Sequence, residues 1–136
     1  GLLSGGILGA GEIDFDAGRI YASHAAVIDP VSRTLVGNFQ NPLLPTLPSL
    51  SLVKPDSSLG RVFFVSGNSD TGVPYRLLAF NLSTFLLTGS MPVEGVTPGG
   101  PPLGPLGVAS LIRWGTDGVA FHSSAQVAFA RTSSIQ

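Results

Sequence analysis

The feature that most constrains this chain is that it repeats itself, in pieces too short and too broken by turns to be helices. Gly18-Arg19-Ile20-Tyr21 returns 42 residues later as Gly60-Arg61-Val62-Phe63, and 58 residues after that, more loosely, as Gly118-Val119-Ala120-Phe121. Each copy follows a short apolar–polar alternation and an acidic turn: Ile13-Asp14-Phe15-Asp16, Val53-Lys54-Pro55-Asp56, and Ile112-Arg113-Trp114 with Asp117. A second block also recurs. Val27 to Gly37 (VIDPVSRTLVG) aligns without a gap on Ala79 to Gly89 (AFNLSTFLLTG). It reads as strand, turn, strand, with the turn opened by Asp29 or Asn81, whose side chains bond to backbone N–H groups two residues on.

Gly (18) and Pro (11) punctuate the chain so densely that no window keeps a helical apolar spacing. The expected strands lie near 11–15, 19–24, 25–29 and 34–39, then near 50–55, 61–66, 76–81 and 86–91. Three more lie near 109–114, 118–123 and 126–131. Four short strands recurring every 40 to 60 residues are the mark of a β-propeller blade. The expected fold is therefore all-β, with about three four-stranded blades forming part of a larger ring. A β-sandwich explains the strand count but not the repeat.

In this reading residues 1–10 are the last strand of a preceding blade or a linker, because Leu2-Leu3-Ser4-Gly5 resembles Leu86-Leu87-Thr88-Gly89. Residues 11–40 and 50–95 are blades, 109–132 is a last blade one strand short, and 133–136 is a tail. Two Pro- and Gly-rich stretches, 41–49 and 96–108, connect the blades. Their leucines, Leu43, Leu44, Leu47, Leu103 and Leu106, are candidates for contact with a partner. Leu35, Val36, Leu86 and Leu87 are expected in outer strands of successive sheets, and Val62, Phe64, Leu78 and Phe80 in the core.

Composition narrows the function. Hydrophobic residues make up 43% and charged residues 11%, against about 25% charged in an average globular chain, so part of the apolar surface is expected to be covered by further chain or by a partner. A net charge of -1 with scattered Lys and Arg argues against nucleic acid. The absence of Cys excludes disulfides and zinc–thiolate sites. No apolar stretch reaches the roughly 18 residues of a membrane span. The chain opens on Gly1-Leu2-Leu3 without the marks of a signal peptide, and reads as part of a longer polypeptide.

Candidate sites are few. Glu12, Asp14 and Asp16 alternate along one strand, which puts them on one face with Ile13 and Phe15 on the other. That face is expected to be solvated, with calcium as the alternative use of Asp14 and Asp16. Asp70, in Asn68-Ser69-Asp70-Thr71-Gly72, is the other calcium candidate, in a segment that reads first as a turn. No cofactor is otherwise expected. His24 and His122 do not occupy equivalent repeat positions, so a shared metal or catalytic role is not expected. Asn81-Leu82-Ser83 matches the glycosylation sequon, but Asp29 in the same place points to a turn. Trp114 is expected in the core between sheets.

The matching stretches, Glu12 to Val36 (with EIDFDAGRIYA, VIDP and TLVG), Val53 to Ser90 (with VKPD, RVFFVSG and LLAFNLSTF) and Ser110 to Thr132 (with SLIRWGTDGVAF), resemble the closing blades of bacterial seven-bladed propellers of the YVTN and quinoprotein-like repeat families. The resemblance covers most of the chain. It implies a secreted or cell-surface protein, or a periplasmic one, in which Thr132 to Gln136 follows the last blade. It says little about function, because such propellers carry many activities. The expected function is a non-catalytic scaffold or binding module making protein–protein contacts. Its partners would be the remaining blades of a longer chain or another copy of itself. The alternative is part of a lactonase-like or quinoprotein-like propeller enzyme with its catalytic residues on other blades.

Overall fold

The computed structural model describes residues 12–39, 50–68, 73–93, 108–123 and 127–136. They form eleven strands in three antiparallel sheets. The first sheet runs in the order β1 (Ile13–Asp16), β2 (Arg19–Ala22), β3 (Ala26–Asp29), β4 (Thr34–Asn38). The central sheet is β5 (Leu50–Asp56), β6 (Arg61–Asn68), β7 (Val73–Asn81), β8 (Leu87–Pro92). The third is β9 (Val108–Trp114), β10 (Gly118–Ser123), β11 (Val127–Arg131). The described residues contain no helix.

Turn chemistry sets these boundaries. Between β1 and β2 the two-residue loop Ala17-Gly18 has φ of 48° and 80°, the doubly positive turn whose twist suits a hairpin. The turns after β3 and β7 are one device used twice. The Asp29 carboxylate accepts from the Val31 and Ser32 amides at 2.8 and 3.1 Å. The Asn81 side-chain oxygen accepts from Ser83 and Thr84 at 2.8 and 3.0 Å. Each turn ends on a left-handed residue, Arg33 (φ 58°) or Phe85 (φ 60°). The repeat seen in the sequence is thus a repeat of hydrogen bonding.

The core follows from β6. Val62, Phe63, Phe64 and Val65 are consecutive and all fully buried. Because side chains alternate across a strand, such a run needs a cover on both faces. Val62 and Phe64 join Val53, Leu78 and Phe80 of the central sheet and pack against Tyr21, Val27 and Phe39 of the first sheet. Phe63 and Val65 join Leu52, Tyr75 and Leu77 and pack against Leu111, Val119, Phe121 and Ala128 of the third. The central sheet therefore lies between the other two. Its inner strand β5 touches both β1 and β9, so the first strands of the three sheets line one side of the stack. Leu35 and Val36 lie in β4 and Leu87 in β8, both edge strands, with Leu86 bridging into β8.

Two details differ from expectation. Thr132 to Gln136, expected as a tail, folds back onto the central sheet. Thr132 and Ile135 are buried, and the Ile135 carbonyl accepts from Thr88 Oγ1 at 2.9 Å. This turn takes the place of the one after β7 without its Asn cap or its left-handed residue. The Leu82 amide donates to the Gly60 carbonyl at 3.0 Å, and Thr132 does the same to Asp117 at 2.7 Å, which aligns Ile135 with Phe85. Both residues are knobs in glycine holes. A Cβ at Gly37 would lie 2.9 Å from the Phe85 ring, and one at Gly89 would lie 2.8 Å from Ile135 Cβ. The second difference is Trp114, expected in the core. It is 38% exposed, because it closes the β9–β10 hairpin opposite Gly118, where the ring lies against a glycine that has no side chain to compete with it.

The packing generates two predictions. Phe64→Ala should lower unfolding stability by about 3–5 kcal/mol, read from urea denaturation, since it empties a site sealed between two sheets. Gly89→Ala should cost about 1–3 kcal/mol by overpacking and should speed amide exchange at Ile135 first.

Candidate functional site

The inner strands carry the polar chemistry of the molecule. Asp14 and Asp16 of β1, with Glu12 just before it, do share one face, and that face is half-buried rather than freely solvated. It is turned to β5 of the central sheet. Glu12 Oε2 accepts from the Val53 amide at 3.0 Å, Asp14 Oδ2 holds Lys54 Nζ at 2.7 Å, and Asp16 accepts from the Ser57 amide at 2.7 Å and from its hydroxyl at 3.1 Å. The expected solvated strip is a clasp between sheets, and Ile13 and Phe15 on the other face are the residues left in water.

The next joint repeats the logic with the ion pair placed differently. Asp56, at the end of β5, receives Arg113 Nε of β9 at 2.9 Å. The same guanidinium donates to the carbonyls of Gly118 and Thr116 at 3.0 and 2.9 Å and lies 4.8 Å from the centre of the Phe63 ring. Burial pushes the Asp56 carboxyl up, but hydrogen bonds from Ser58, Arg113 and the Leu59 amide outweigh it and hold the pKa below the ordinary aspartate value. Glu12 goes the other way. Burial, helped by Asp14, lifts its pKa above the ordinary glutamate value against the pull of the Val53 amide and Lys54.

Among the described residues the two histidines lie far apart in the fold. His24 follows β2 in the first sheet and His122 lies in β10 of the third, so the central sheet stands between them. Among the described residues no three His, Cys, Asp or Glu side chains gather where they could hold a metal. Asn81 spends its side-chain oxygen on its own turn. Asp70 and the loop leucines Leu43, Leu44, Leu47, Leu103 and Leu106 lie outside the described residues.

What stands out instead is a pair of open sheet faces. On the first sheet, strand pairing sets Phe15 beside Ile20, Ile20 beside Ile28 and Ile28 beside Leu35, a row across all four strands on the face turned away from the central sheet, open at its two ends but buried at its middle, where Ile28 is 1% exposed. Ile13 and Phe15 are 55% and 62% exposed. On the third sheet the outward row is Ile112, Ala120 and Phe129, with Val127 next to it. Ile112 and Phe129 are 54% and 69% exposed. Trp114 closes this row, with the Arg131 guanidinium 4.2 Å from its ring centre and held by Asp117 at 2.5 Å. These residues were not legible as a site. Alternation separates two faces of a strand, but which face is covered depends on which sheet lies beside it.

The opposite shifts of Glu12 and Asp56 predict opposite pH dependences. A pKa raised by folding contributes stability at pH below the unfolded value and loses it as pH rises through the folded one; a lowered pKa does the reverse. Glu12→Gln should therefore gain on the parent chain as pH rises from below 4.5. Asp56→Asn should be most damaging at neutral pH, with the gap closing as pH falls below 3.8. Urea denaturation at pH 3, 5 and 7 (about those values, set by the ordinary carboxyl range) measures both.

Comparison of the chain with protein-family models, with curated proteins and with solved structures finds no match.

Proposed function

We propose that this chain is three consecutive blades of a β-propeller and acts as a non-catalytic scaffold that binds protein through the open faces of its outer blades. The observation that carries the proposal is the asymmetry of burial. The central sheet is sealed on both sides, whereas the first and third sheets turn Phe15, Leu35, Ile112, Val127 and Phe129 to solvent. A propeller blade is an antiparallel sheet with two apolar faces, each meant for a neighbour. An arc of three blades leaves two such faces open, each on the order of several hundred Å², as large as the largest apolar patch of a typical monomer. The resemblance to bacterial propeller repeats supports the same assignment and an extracellular or cell-surface setting. The covering partner is further sheets of the same kind, from a longer chain or from another copy.

Light scattering on residues 1–136 tests this reading. The chain should self-associate, and Phe15→Asp or Phe129→Asp should weaken the association at least tenfold while leaving the fold intact by circular dichroism. A well-folded parent chain that stays monomeric at every concentration would show that the arc is self-sufficient and the reading wrong.

A further inference from the structure

The two joints between sheets are built alike but filled differently. The Leu82 and Thr132 amides bond the Gly60 and Asp117 carbonyls, which puts Val62 and Val119 at equivalent places two residues on. This is one residue off the match read from the sequence, which set Gly118 on Gly60. The residue opposite Val119 is Arg113, and the residue opposite Val62 is Pro55. Pro55 therefore stands in the first joint where Arg113 stands in the second. Tyr21 likewise stands where Phe63 stands, two residues after Arg19 and Arg61. In the second joint the Arg113 guanidinium lies over the Phe63 ring and spends its donors on Asp56 and on the Gly118 and Thr116 carbonyls. Proline has no such reach. Beside Tyr21 the first joint instead holds a cleft of about 550 Å³, within the size range of small-molecule sites.

The groups that line this cleft choose its ligand. Val36, Leu82 and Phe85 make an apolar wall, and Arg19, Tyr21, Ser57 and Ser83 are the polar side chains. Tyr21 is 2% exposed, yet its hydroxyl makes no hydrogen bond among the described residues. A buried hydroxyl left unpaired is costly, and an acceptor in the cleft removes that cost. Burial lifts the Tyr21 pKa above the ordinary phenol value, with Arg19 pulling it down and Asp16 pushing it up, so at neutral pH the group is a donor. Arg19 shares the face of Tyr21 by alternation. It is exposed, and its guanidinium has no ion pair or hydrogen bond among the described residues. The nearby acids are already engaged. Asp16, opposite Arg19 in the ladder, accepts from the Ser57 amide and hydroxyl. Asp29 accepts from the amides of its own turn. The unspent groups are therefore donors, and one of them is a cation.

We propose that this cleft binds a small carboxylic acid, its carboxylate held by Arg19 and Tyr21 and its apolar body laid against Val36, Leu82 and Phe85. The planar guanidinium fork matches the two oxygens of a carboxylate, and the phenol donates to a remaining lone pair. The Ser83 hydroxyl stands at the rim as a further donor. An exposed ion pair alone contributes little, so the buried phenol and the apolar wall supply the rest of the affinity. The site goes beyond the open-face reading. It lies between the first and central sheets and is present whatever covers the outer faces.

The experiment titrates residues 1–136 with hydrocinnamate, followed by backbone amide NMR, and repeats it with hydrocinnamide and with phenylpropylamine. Hydrocinnamate should shift the amides of Arg19, Tyr21, Leu82 and Ser83 and reach saturation. The amide and the amine should bind about tenfold more weakly or worse, because neither offers a carboxylate. Arg19→Gln should weaken hydrocinnamate by about tenfold, and Tyr21→Phe by about fivefold, the losses of a charged and of a neutral hydrogen bond. Both variants should match the parent chain by circular dichroism, since Arg19 is exposed and Phe63 holds the place of Tyr21 in the central sheet. No shift at the cleft, or shifts confined to the open face around Phe129, would overturn the proposal. So would an amine that binds as tightly as the acid, or hydrocinnamate binding that Arg19→Gln leaves unchanged. Light scattering, which decides the open-face reading, should be unaffected by either substitution.

Discussion

The structure depends on one constraint: the central sheet is apolar on both faces. The run Val62-Phe63-Phe64-Val65 leaves no side of β6 that can face water, and β7 answers it with Leu77, Leu78, Ala79 and Phe80, all fully buried. Alternating side chains send half of these residues each way, so the sheet needs a neighbour on either side. The aromatic contacts show how close the cover is. Phe39 of the first sheet meets Phe64, Phe80 and Phe85 at ring-centre distances of 5.4 to 5.5 Å, and Tyr75 meets Phe121 of the third at 6.2 Å. Such edge-on geometries add to simple area burial.

Apolar faces attract without specifying register, and the inner strands supply what is missing. The carboxylates of β1 are spaced to meet the Val53 amide, Lys54 and Ser57, so one translation of the first sheet along β5 satisfies all three. At the other joint Arg113 combines an ion pair, carbonyl contacts and a ring contact in one side chain. Exposed ion pairs contribute little, and Lys54–Asp14 is about a third exposed. The value of that pair is in placing the sheets, while Arg113–Asp56, with side chains only 11% and 18% exposed, would be costly to break.

The outer side of the stack is fitted by shape. Gly37 and Gly89 leave holes in β4 and β8, and Phe85 and Ile135 fill them. These contacts tie the last residues of the chain to the central sheet and make the turn after β11 part of the packed body.

By itself the sequence determined the strands, their turns and their grouping, because these rest on local chemistry. Asp29 and Asn81 cap their turns with bonds to amides two and three residues on, Ala17-Gly18 adopts a two-residue hairpin, and the β6 run is too apolar to lie on a surface. The repeat also marked Gly37 and Gly89 as equivalents. Tertiary structure alone decided what each face does. Glu12, Asp14 and Asp16 form a strip whose alternation is local, but only β5 lying beside it turns a solvated face into a clasp. Ile13, Phe15, Ile112 and Phe129 follow the same apolar pattern as Val53 or Val62, and they differ in having no sheet next to them among the described residues. Trp114 reads as core by its size, yet it lies at the surface because its neighbour across the hairpin is Gly118 and its face of the third sheet is open.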